Sequence, residues 1–160
     1  MISNQNGFIS TTQRYQGFCQ ALNDHGLLFR RDYIVYASME YSFDSGVEAA
    51  KKLLTLPDPP TAIFCISDLL ALGAVSAANE LGIPVPERLS IWGFDDLEFA
   101  KMFHPHLSTV AQPCFEMGRT AMLHLNQSMA GSDDFEMHTI LPYQIIERES
   151  TCALQDDKTD

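Results

Sequence analysis

Long apolar runs are missing from this sequence. No stretch of its 160 residues approaches the roughly 18 consecutive apolar residues that a membrane-spanning helix needs. The first residues, MISNQNGF, also lack the charged-then-apolar order of a secretory signal. We therefore expect a cytoplasmic protein with no membrane contact. The hydrophobic content of 46% is that of an ordinary globular domain.

Positive charge is scarce. The chain has 10 Lys and Arg residues against 21 Asp and Glu, for a net charge of −11. The only basic pairs are Arg30-Arg31 and Lys51-Lys52, which are typical of solvated faces. A surface that binds DNA needs clustered Lys and Arg to displace counterions. We therefore expect this chain not to contact nucleic acid by itself.

Motifs for covalent and nucleotide-dependent chemistry are absent. There is no Gly-x-Ser-x-Gly elbow, no phosphate loop ending in Gly-Lys-Ser/Thr, and no Gly-x-Gly-x-x-Gly after a strand. Asp95 and Asp96 are paired carboxylates, but adjacent residues at a strand end point to opposite sides. We therefore expect no enzyme activity, no catalytic residue and no cofactor.

Metal-site patterns are weak too. Cys19, Cys65, Cys114 and Cys152 are far apart with no Cys-x-x-Cys pair, so buried free thiols are expected rather than disulfides or a zinc site. Two histidines flank a proline in His104-Pro105-His106, but no third ligand lies within sequence reach. This segment is interpreted as a surface loop, and no metal is expected.

A complete strand–helix–strand unit is present between residues 60 and 96. The β-forming run 61–66 predicts a buried strand, 69–81 predicts a helix that ends at Gly82, and 89–94 predicts a second strand. Ser67 or Asp68 would cap the helix. Two short strands joined by a helix lie parallel with a right-handed crossover, so both strands end at the same edge of the sheet.

Four polar residues follow these two strands: Ser67, Asp68, Asp95 and Asp96. Small ligands bind at the carboxyl edge of open α/β sheets. This edge, called the rim below, is the candidate ligand site.

The other helices and strands are predicted from the same kinds of signal. Helices are predicted at 12–24, capped by Ser10 or Thr11, at 43–56, capped by Ser42 or Asp44, and at 97–103 and 115–129. Strands are predicted at 32–38, 107–111, 138–141 and 143–147. An acidic loop is expected at 131–136. The fold class is α/β: three layers, a mainly parallel sheet with helices on both faces.

The helix 69–81 is apolar almost all round. Its small residues, Ala71, Gly73, Ala74, Ala77 and Ala78, would let another surface approach closely. That surface is either a second subunit or the core of this chain, and the sequence leaves both readings open. Two aromatics of the next short helix, Phe99 and Phe103, lie four residues apart and could extend a subunit contact.

These residues resemble the regulatory domain of the LacI/GalR family of bacterial transcription regulators. The residues that carry the resemblance are 61–64, Ser67, Asp68, Ala71, Leu72, Gly73, Gly82, Val85, Pro86, Glu87, Ser90 and 93–96, with Arg14, Gly17, Phe18, Ala21, Leu22 and Gly26 upstream and Pro105, Leu107, Thr109, Gln112, Pro113, Gly118 and 148–151 downstream. Their combined order and spacing over about 140 residues are specific.

The resemblance implies an incomplete copy of a hinged, two-lobed, periplasmic-binding-protein-like fold, in which mainly one lobe is present. Residues 1–111 and 143–152 would form the carboxyl lobe, 113–141 a remnant of the amino lobe, and 153–160 a polar tail. The helix-turn-helix domain and most of the amino lobe would be absent. The first strand of the carboxyl lobe would be missing too, with only residues 1–3 as its remnant. Two strand edges would then be open, so we expect a fragment stabilised by self-association or rearrangement.

The resemblance also assigns a ligand site of four residues: Thr12, Tyr41, Ser67 and Asp95. Asp95 would accept ligand hydroxyls and Tyr41 would supply an aromatic face, which suits a sugar or a nucleoside. Thr12 stands where some members place an Arg, which favours a neutral ligand. The alternatives are that Asp95 caps a helix and that Tyr41 covers the sheet edge. Asp68 is assigned mainly to capping, and Arg14 to anchoring its helix on a carboxylate.

The sequence therefore predicts an effector-sensing and dimerising fragment of a DNA-binding regulator. The partners are a small-molecule effector and a second copy, with DNA bound only through the missing domain. The dimer interface would contain Leu69, Leu72, Ala74, Val75, Phe99 and Phe103. Two alternatives remain: a solute-binding protein of a sugar transport system, and a sugar-processing enzyme.

Overall fold

The computed structural model describes residues 1–4, 8–38, 41–131 and 138–153. The strands are β1 (Ile2–Asn4), β2 (Val35–Ala37), β3 (Ala62–Phe64), β4 (Ser90–Trp92), β5 (Thr109–Ala111) and β6 (Gln144–Ile146). The helices are α1 (Ile9–Asp24), α2 (Phe43–Leu54), α3 (Asp68–Glu80) and α4 (Cys114–Met129), with short 3₁₀ helices at Arg31–Tyr33 and Glu98–Lys101. None of these helices is both long and apolar enough to cross a membrane.

The strands join into one mainly parallel sheet. The β1–β2 and β3–β4 pairs are parallel, and β5–β6 is antiparallel. Bridges from Ile2 to Cys65 and from Trp92 to Ser108 link the pairs, which gives the order β2-β1-β3-β4-β5-β6. The predicted α/β class is confirmed.

Helices cover both faces of this sheet. Successive residues of a strand point to opposite faces, and in β3 they meet different helices. The ring of Phe64 stacks on Phe18 of α1 with ring centroids 6.1 Å apart. Ile63 is buried in the core that α2 and α3 share. The structure is therefore three-layered, with α1 on one side and the α2–α3 pair on the other.

The first strand of the sheet is present, so the expectation that it is missing was wrong. β1 lies between β2 and β3: Ile2 pairs with Val35, and the Ile2 carbonyl accepts a hydrogen bond from Ile66 N at 3.1 Å. Residues 1–4 are all buried. Three residues are enough to fill the gap because the neighbouring strands are equally short, and the predicted open edges in mid-sheet do not occur.

The central β3–α3–β4 unit follows its sequence signals. Ser67 caps α3 by accepting a hydrogen bond from Leu70 N at 3.4 Å, and Ser42 caps α2 by accepting one from Ser45 N at 3.2 Å. Gly82, with a φ of 67°, follows the end of α3. The unit therefore begins and ends within about a residue of its predicted helix bounds.

Most of helix α3 is covered by the chain itself. Gly73 lies directly against the backbone of α2 at Phe43 and Val47, so the small residues of α3 allow close contact with α2. Ala74 is fully buried in this core. Ala74 is therefore unavailable to a second subunit, and its prediction as an interface residue was wrong.

Several predicted bounds differ from the structure. Helix α1 begins at Ile9 after Phe8 and has no side-chain cap, so neither Ser10 nor Thr11 caps it. The helix predicted at 97–103 is only a short 3₁₀ turn, and no strand forms at 138–141. In the sheet, β6 pairs with β5, whereas 138–141 has no strand partner among the described residues. Most of the predicted acidic loop and polar tail lies outside the described residues.

The four cysteines are free, but only Cys65 is buried. Cys19 is half-buried in α1, and Cys114 and Cys152 are exposed, so the prediction of buried thiols was wrong for these three. Cys114 opens α4, a helix with no buried residue. Its exposed apolar side chains are Phe115, Met117, Met122, Leu123, Leu125 and Met129.

Candidate functional site

Ser67 and Asp95 share the rim, as the sequence predicts. Phe64 of β3 is paired in parallel register with Trp92 of β4, and each polar residue stands three positions beyond its strand. The two segments remain joined past the strands, because Asp68 N donates to Phe94 O at 2.8 Å. The α3 helix connects them. The two side chains therefore leave the same edge of the sheet.

Arg14 ties helix α1 to this rim. Its Nη1 donates to Ile66 O at 2.6 Å, and its Nη2 lies 3.6 Å from Asp95 Oδ1. The guanidinium carbon lies 3.7 Å from the centroid of the Phe94 ring, which is a cation–π distance. The prediction that Arg14 anchors α1 to a neighbouring carboxylate is therefore confirmed.

Asp95 is held in an uncommon backbone conformation. Its φ is 116°, and that of Asp96 is 54°, both in the region that L-residues rarely adopt. Gln112 Nε2 donates to Asp95 Oδ1 at 2.6 Å. Burial raises the pKa of Asp95, whereas Arg14 and the Gln112 hydrogen bond lower it. Both partners contact Oδ1, which leaves Oδ2 as a hydrogen-bond acceptor at the rim.

Asp68 is the first residue of α3, and its buried side chain also accepts hydrogen bonds from two other parts of the chain. Its Oδ1 accepts from Thr109 Oγ1 at 2.6 Å and its Oδ2 from Leu97 N at 2.8 Å. Burial raises its pKa to about 6, with smaller opposing effects from the two hydrogen bonds. Assigning Asp68 mainly to capping was therefore wrong, because it ties α3 to β5 and to the segment after β4.

Asp96 faces a different set of partners. Arg148 Nη2 contacts Asp96 Oδ1 at 2.5 Å, and Lys101 Nζ lies 3.8 Å from Oδ2. Asp95 is paired with Arg14 instead. The two adjacent carboxylates are held by different cations on different elements, so they do not form a pair that flanks one substrate bond.

Thr11, rather than Thr12, contacts the predicted aromatic residue. The Thr11 hydroxyl lies 2.8 Å from the hydroxyl of Tyr41, and Thr11 is buried. Thr12 is exposed and donates to Phe8 O at 3.3 Å. Successive helix residues point about 100° apart, so a one-residue error in sequence placement moves the side chain to another face.

Asn4 is a rim residue that the sequence reading missed. It ends β1, next to β3, and is 3% exposed. Its Nδ2 donates to Ser38 O, but its Oδ1 has no donor among the described residues. Buried polar atoms are normally paired. The signal available from sequence was its position at the end of the short first strand.

A cleft of about 790 Å³ lies beside the rim. Arg14, Gln112, Thr139 and Tyr143 line it, and the rest of the lining is mostly apolar residues of α1 and the strands, with Met117 of α4. None of Thr12, Tyr41, Ser67 and Asp95 lines it. An apolar cleft offers few partners for ligand hydroxyls, so the rim rather than this cleft has the chemistry of a polar ligand site.

An apolar groove of about 360 Å³ runs along the outer side of α3. Leu69, Leu72, Val75, Phe99 and Phe103 line it, and these are five of the six predicted interface residues. Phe99 and Phe103 are 49% and 56% exposed. The structure thus brings these five side chains to one groove. Leu72 and Val75 are buried at its floor, at 6% and 4% exposure, whereas Phe99 and Phe103 are exposed beside it.

Comparison with known proteins gives a family match. Residues 1–151 match the model of the periplasmic binding protein-like domain. The chain is 44% identical over 141 residues to the HTH-type transcriptional repressor CytR of Escherichia coli, covering 88% of this chain and 41% of that protein. The chain therefore spans about two fifths of the length of this curated relative.

Solved structures agree with this match. A LacI-type transcriptional regulator from Bacillus cereus superposes with a TM-score of 0.89 at 28% identity, over 97% of this chain and 54% of that one. A LacI family regulator from Enterococcus faecium with bound ribose superposes with a TM-score of 0.83 at 27% identity, over 96% of this chain and 56% of that one.

Proposed function

Because the chain belongs to the periplasmic binding protein-like domains of LacI/GalR-type transcription regulators, we propose that its rim binds a small, neutral, hydroxyl-rich molecule, a sugar or a nucleoside. The longer regulator would work in the cytoplasm and bind DNA through a separate domain. The net charge of −11 supports a separate DNA-binding surface. The observation that carries the proposal is the arrangement around Asp95.

Asp95 presents an acceptor that is already oriented. Arg14 and Gln112 fix Oδ1, so Oδ2 can accept a ligand hydroxyl without losing either contact. Asn4 Oδ1 is a second buried acceptor at the same carboxyl edge. Two fixed acceptors suit a ligand that donates several hydrogen bonds, as sugars and ribose rings do.

The charges at the rim favour a neutral ligand. Asp95 and Asp96 lie close enough to Asp68 for their negative charges to raise the pKa of Asp68. Arg14 is occupied by Asp95, by the Ile66 carbonyl and by the Phe94 ring. An anionic ligand would meet carboxylates without a free guanidinium to pair with. The regulator from Enterococcus faecium holds the neutral sugar ribose.

Calorimetric titration tests this proposal. The protein, with whatever domains its reading frame adds, is titrated with ribose, glucose, adenosine and uridine. Asp95→Asn is expected to weaken binding of the accepted ligand roughly tenfold or more, because a charge-assisted hydrogen bond contributes about 1.5–3 kcal/mol. Asp24→Asn, an exposed carboxylate at the end of α1, is the matched control. Equal affinities of both variants and the parent would remove Asp95 from the site.

We also propose that the groove on α3 is the contact between two copies. Apolar side chains in a connected patch favour association with a similar patch. Sedimentation velocity is expected to give a dimer for the parent and a monomer for the Phe99→Ser/Phe103→Ser double variant. Leu28→Ser is the control, since Leu28 is 83% exposed and does not line the groove. A double variant that remains dimeric would refute this surface.

Helix α4 fits the proposed division into lobes. It has no buried residue and exposes six large apolar side chains. Such a helix is stable only when another surface covers it. The remainder of an amino lobe in a longer chain is the covering surface that we propose for residues 113–141.

A further inference from the structure

Two histidines and a glutamate come together on a surface remote from the rim residues Ser67 and Asp95. His104 and His106 follow the Glu98–Lys101 turn, and Glu149 follows β6. Among the residues that the structure describes, these three are a group whose ligand atoms all lie within 4.8 Å of one another. The sequence separates the glutamate from the histidines by more than forty positions, which is why the sequence reading found no third ligand.

The geometry of this His–Glu cluster is close. His104 Nδ1 lies 3.1 Å from Glu149 Oε2, and His106 Nδ1 lies 3.0 Å from Glu149 Oε1. The two imidazole centroids are 4.3 Å apart. The Nδ1 atom of each histidine therefore faces a different oxygen of the Glu149 carboxylate.

These separations suit a shared cation. Zinc binds imidazole nitrogen and carboxylate oxygen at about 2.0–2.2 Å, so two ligands of one tetrahedral zinc ion are about 3.3–3.6 Å apart. The observed 3.0 and 3.1 Å are a few tenths of an ångström shorter, so the side chains need to move apart only slightly to hold the ion. A cation would take the place of the protons that join the rings to the carboxylate. Two histidines and one glutamate leave the fourth tetrahedral position to water.

The backbone holds the cluster in place. Glu149 Oε2 accepts from His106 N at 2.9 Å, and Ser150 N donates to His106 O at 3.0 Å. These contacts hold the Glu149 carboxylate beside both imidazole rings. In the single chain the His104 side chain is 76% exposed, which supplies an entry path, and it lies at the edge of the groove on α3 because it is one of the residues that line that groove. A ligand set with its backbone already fixed needs little reorganisation to bind.

We propose that His104, His106 and Glu149 bind a divalent transition-metal ion of the zinc class. Imidazole nitrogen selects such ions over magnesium and calcium, which prefer oxygen ligands. The earlier expectation of a surface loop without metal rested on the absence of a third ligand, and Glu149 is that ligand.

Titration with zinc chloride in a non-chelating buffer at about pH 7.5 tests the proposal, since neutral imidazole is the binding form. The parent is expected to bind one equivalent of zinc at this cluster. His104→Ala, His106→Ala and Glu149→Gln are each expected to weaken it roughly tenfold or more. Glu149→Gln keeps an acceptor for His106 N, so loss of zinc binding in this variant does not follow from loss of the fold.

Two controls separate this site from other zinc ligands. His25→Ala removes an exposed histidine of the α1 C-terminus and is expected to leave the zinc affinity unchanged. The titration is repeated in a Cys114→Ser/Cys152→Ser background, because these exposed thiols also bind zinc. Zinc binding that disappears with the thiols, or that persists unchanged in His104→Ala/His106→Ala, would overturn the proposal. Magnesium chloride is expected to give no heat at the cluster.

Discussion

Replacing Asp68 by Asn is expected to change how stability depends on pH. The Asp68 side chain is fully buried, and its two direct partners, the Thr109 hydroxyl and Leu97 N, are uncharged. Burial raises its pKa from 3.8 to about 6. An amide has nearly the same shape: its oxygen can accept from Leu97 N, and its nitrogen can donate to the Thr109 oxygen. The variant therefore keeps the packing and loses the ionisation.

Proton linkage gives the direction in which the free energy of unfolding changes with pH. Between about pH 3.8 and 6 the folded protein binds the Asp68 proton more tightly than the unfolded chain, so the free energy of unfolding falls as pH rises through this window. Below the window the contribution is fully present, and above it the contribution is lost. A shift of about two pH units corresponds to about 3 kcal/mol. About 2 kcal/mol of this lies between pH 4.5 and 7.5.

Urea unfolding, followed by the fluorescence of the single tryptophan, Trp92, measures this difference. The unfolding free energy of the parent minus that of Asp68→Asn is expected to fall by about 2 kcal/mol from pH 4.5 to 7.5. Titrating groups that do not interact with Asp68 cancel in the subtraction. Asp24→Asn, at an exposed position, is the control variant and is measured in the same way. Parallel pH profiles for the parent and Asp68→Asn would refute the burial of a charged Asp68.

Two further predictions concern packing and thiol chemistry. Gly73→Ala would bring a methyl group within 2.7 Å of Val47 N, so it is expected to lower the free energy of unfolding by about 3 kcal/mol in urea titrations. Gly118→Ala lies in open space on α4 and is the control, expected to be neutral or to stabilise by up to about 1 kcal/mol. Equal effects of the two substitutions would contradict the close α2–α3 contact. Cys114 is exposed and is expected to react with Ellman's reagent in the native protein. Cys65 is buried, which raises the pKa of its thiol to about 12, so it is expected to react only after denaturation. A fast reaction of Cys65 in the native protein would contradict this prediction.

The central unit of the fold could be predicted because its signals are local. A buried strand, a capping serine and a terminal glycine lie within a few residues of the elements that they bound, and Ser67 caps α3 as expected. The parallel pairing of β3 and β4 then follows from the length of the connection. Local signals with a single topological solution therefore placed Ser67 and Asp95 at the same edge.

Distant partners could not be predicted in this way. The role of Asp68 depends on Thr109, 41 residues away, and the His–Glu cluster depends on Glu149. β1 is only three residues long, too short to show a periodic pattern, and its place in the sheet is set by its pairing with β2 and Cys65. Thr12 and Thr11 differ by one position, and only the observed helix fixes which of them contacts Tyr41.

The contacts of Asp95 give the proposed sensor a route from ligand to conformation. One carboxylate oxygen is shared by Arg14, on helix α1, and by Gln112, which lies between β5 and α4. A ligand hydroxyl on Asp95 Oδ2 would add a third partner to the carboxylate that already joins these two elements. Gln112 lies between residues 1–111, predicted for the carboxyl lobe, and residues 113–141, predicted for the amino lobe. We propose that a ligand shifts the hinged equilibrium through this carboxylate, because it can do so only by interacting differently with the two states.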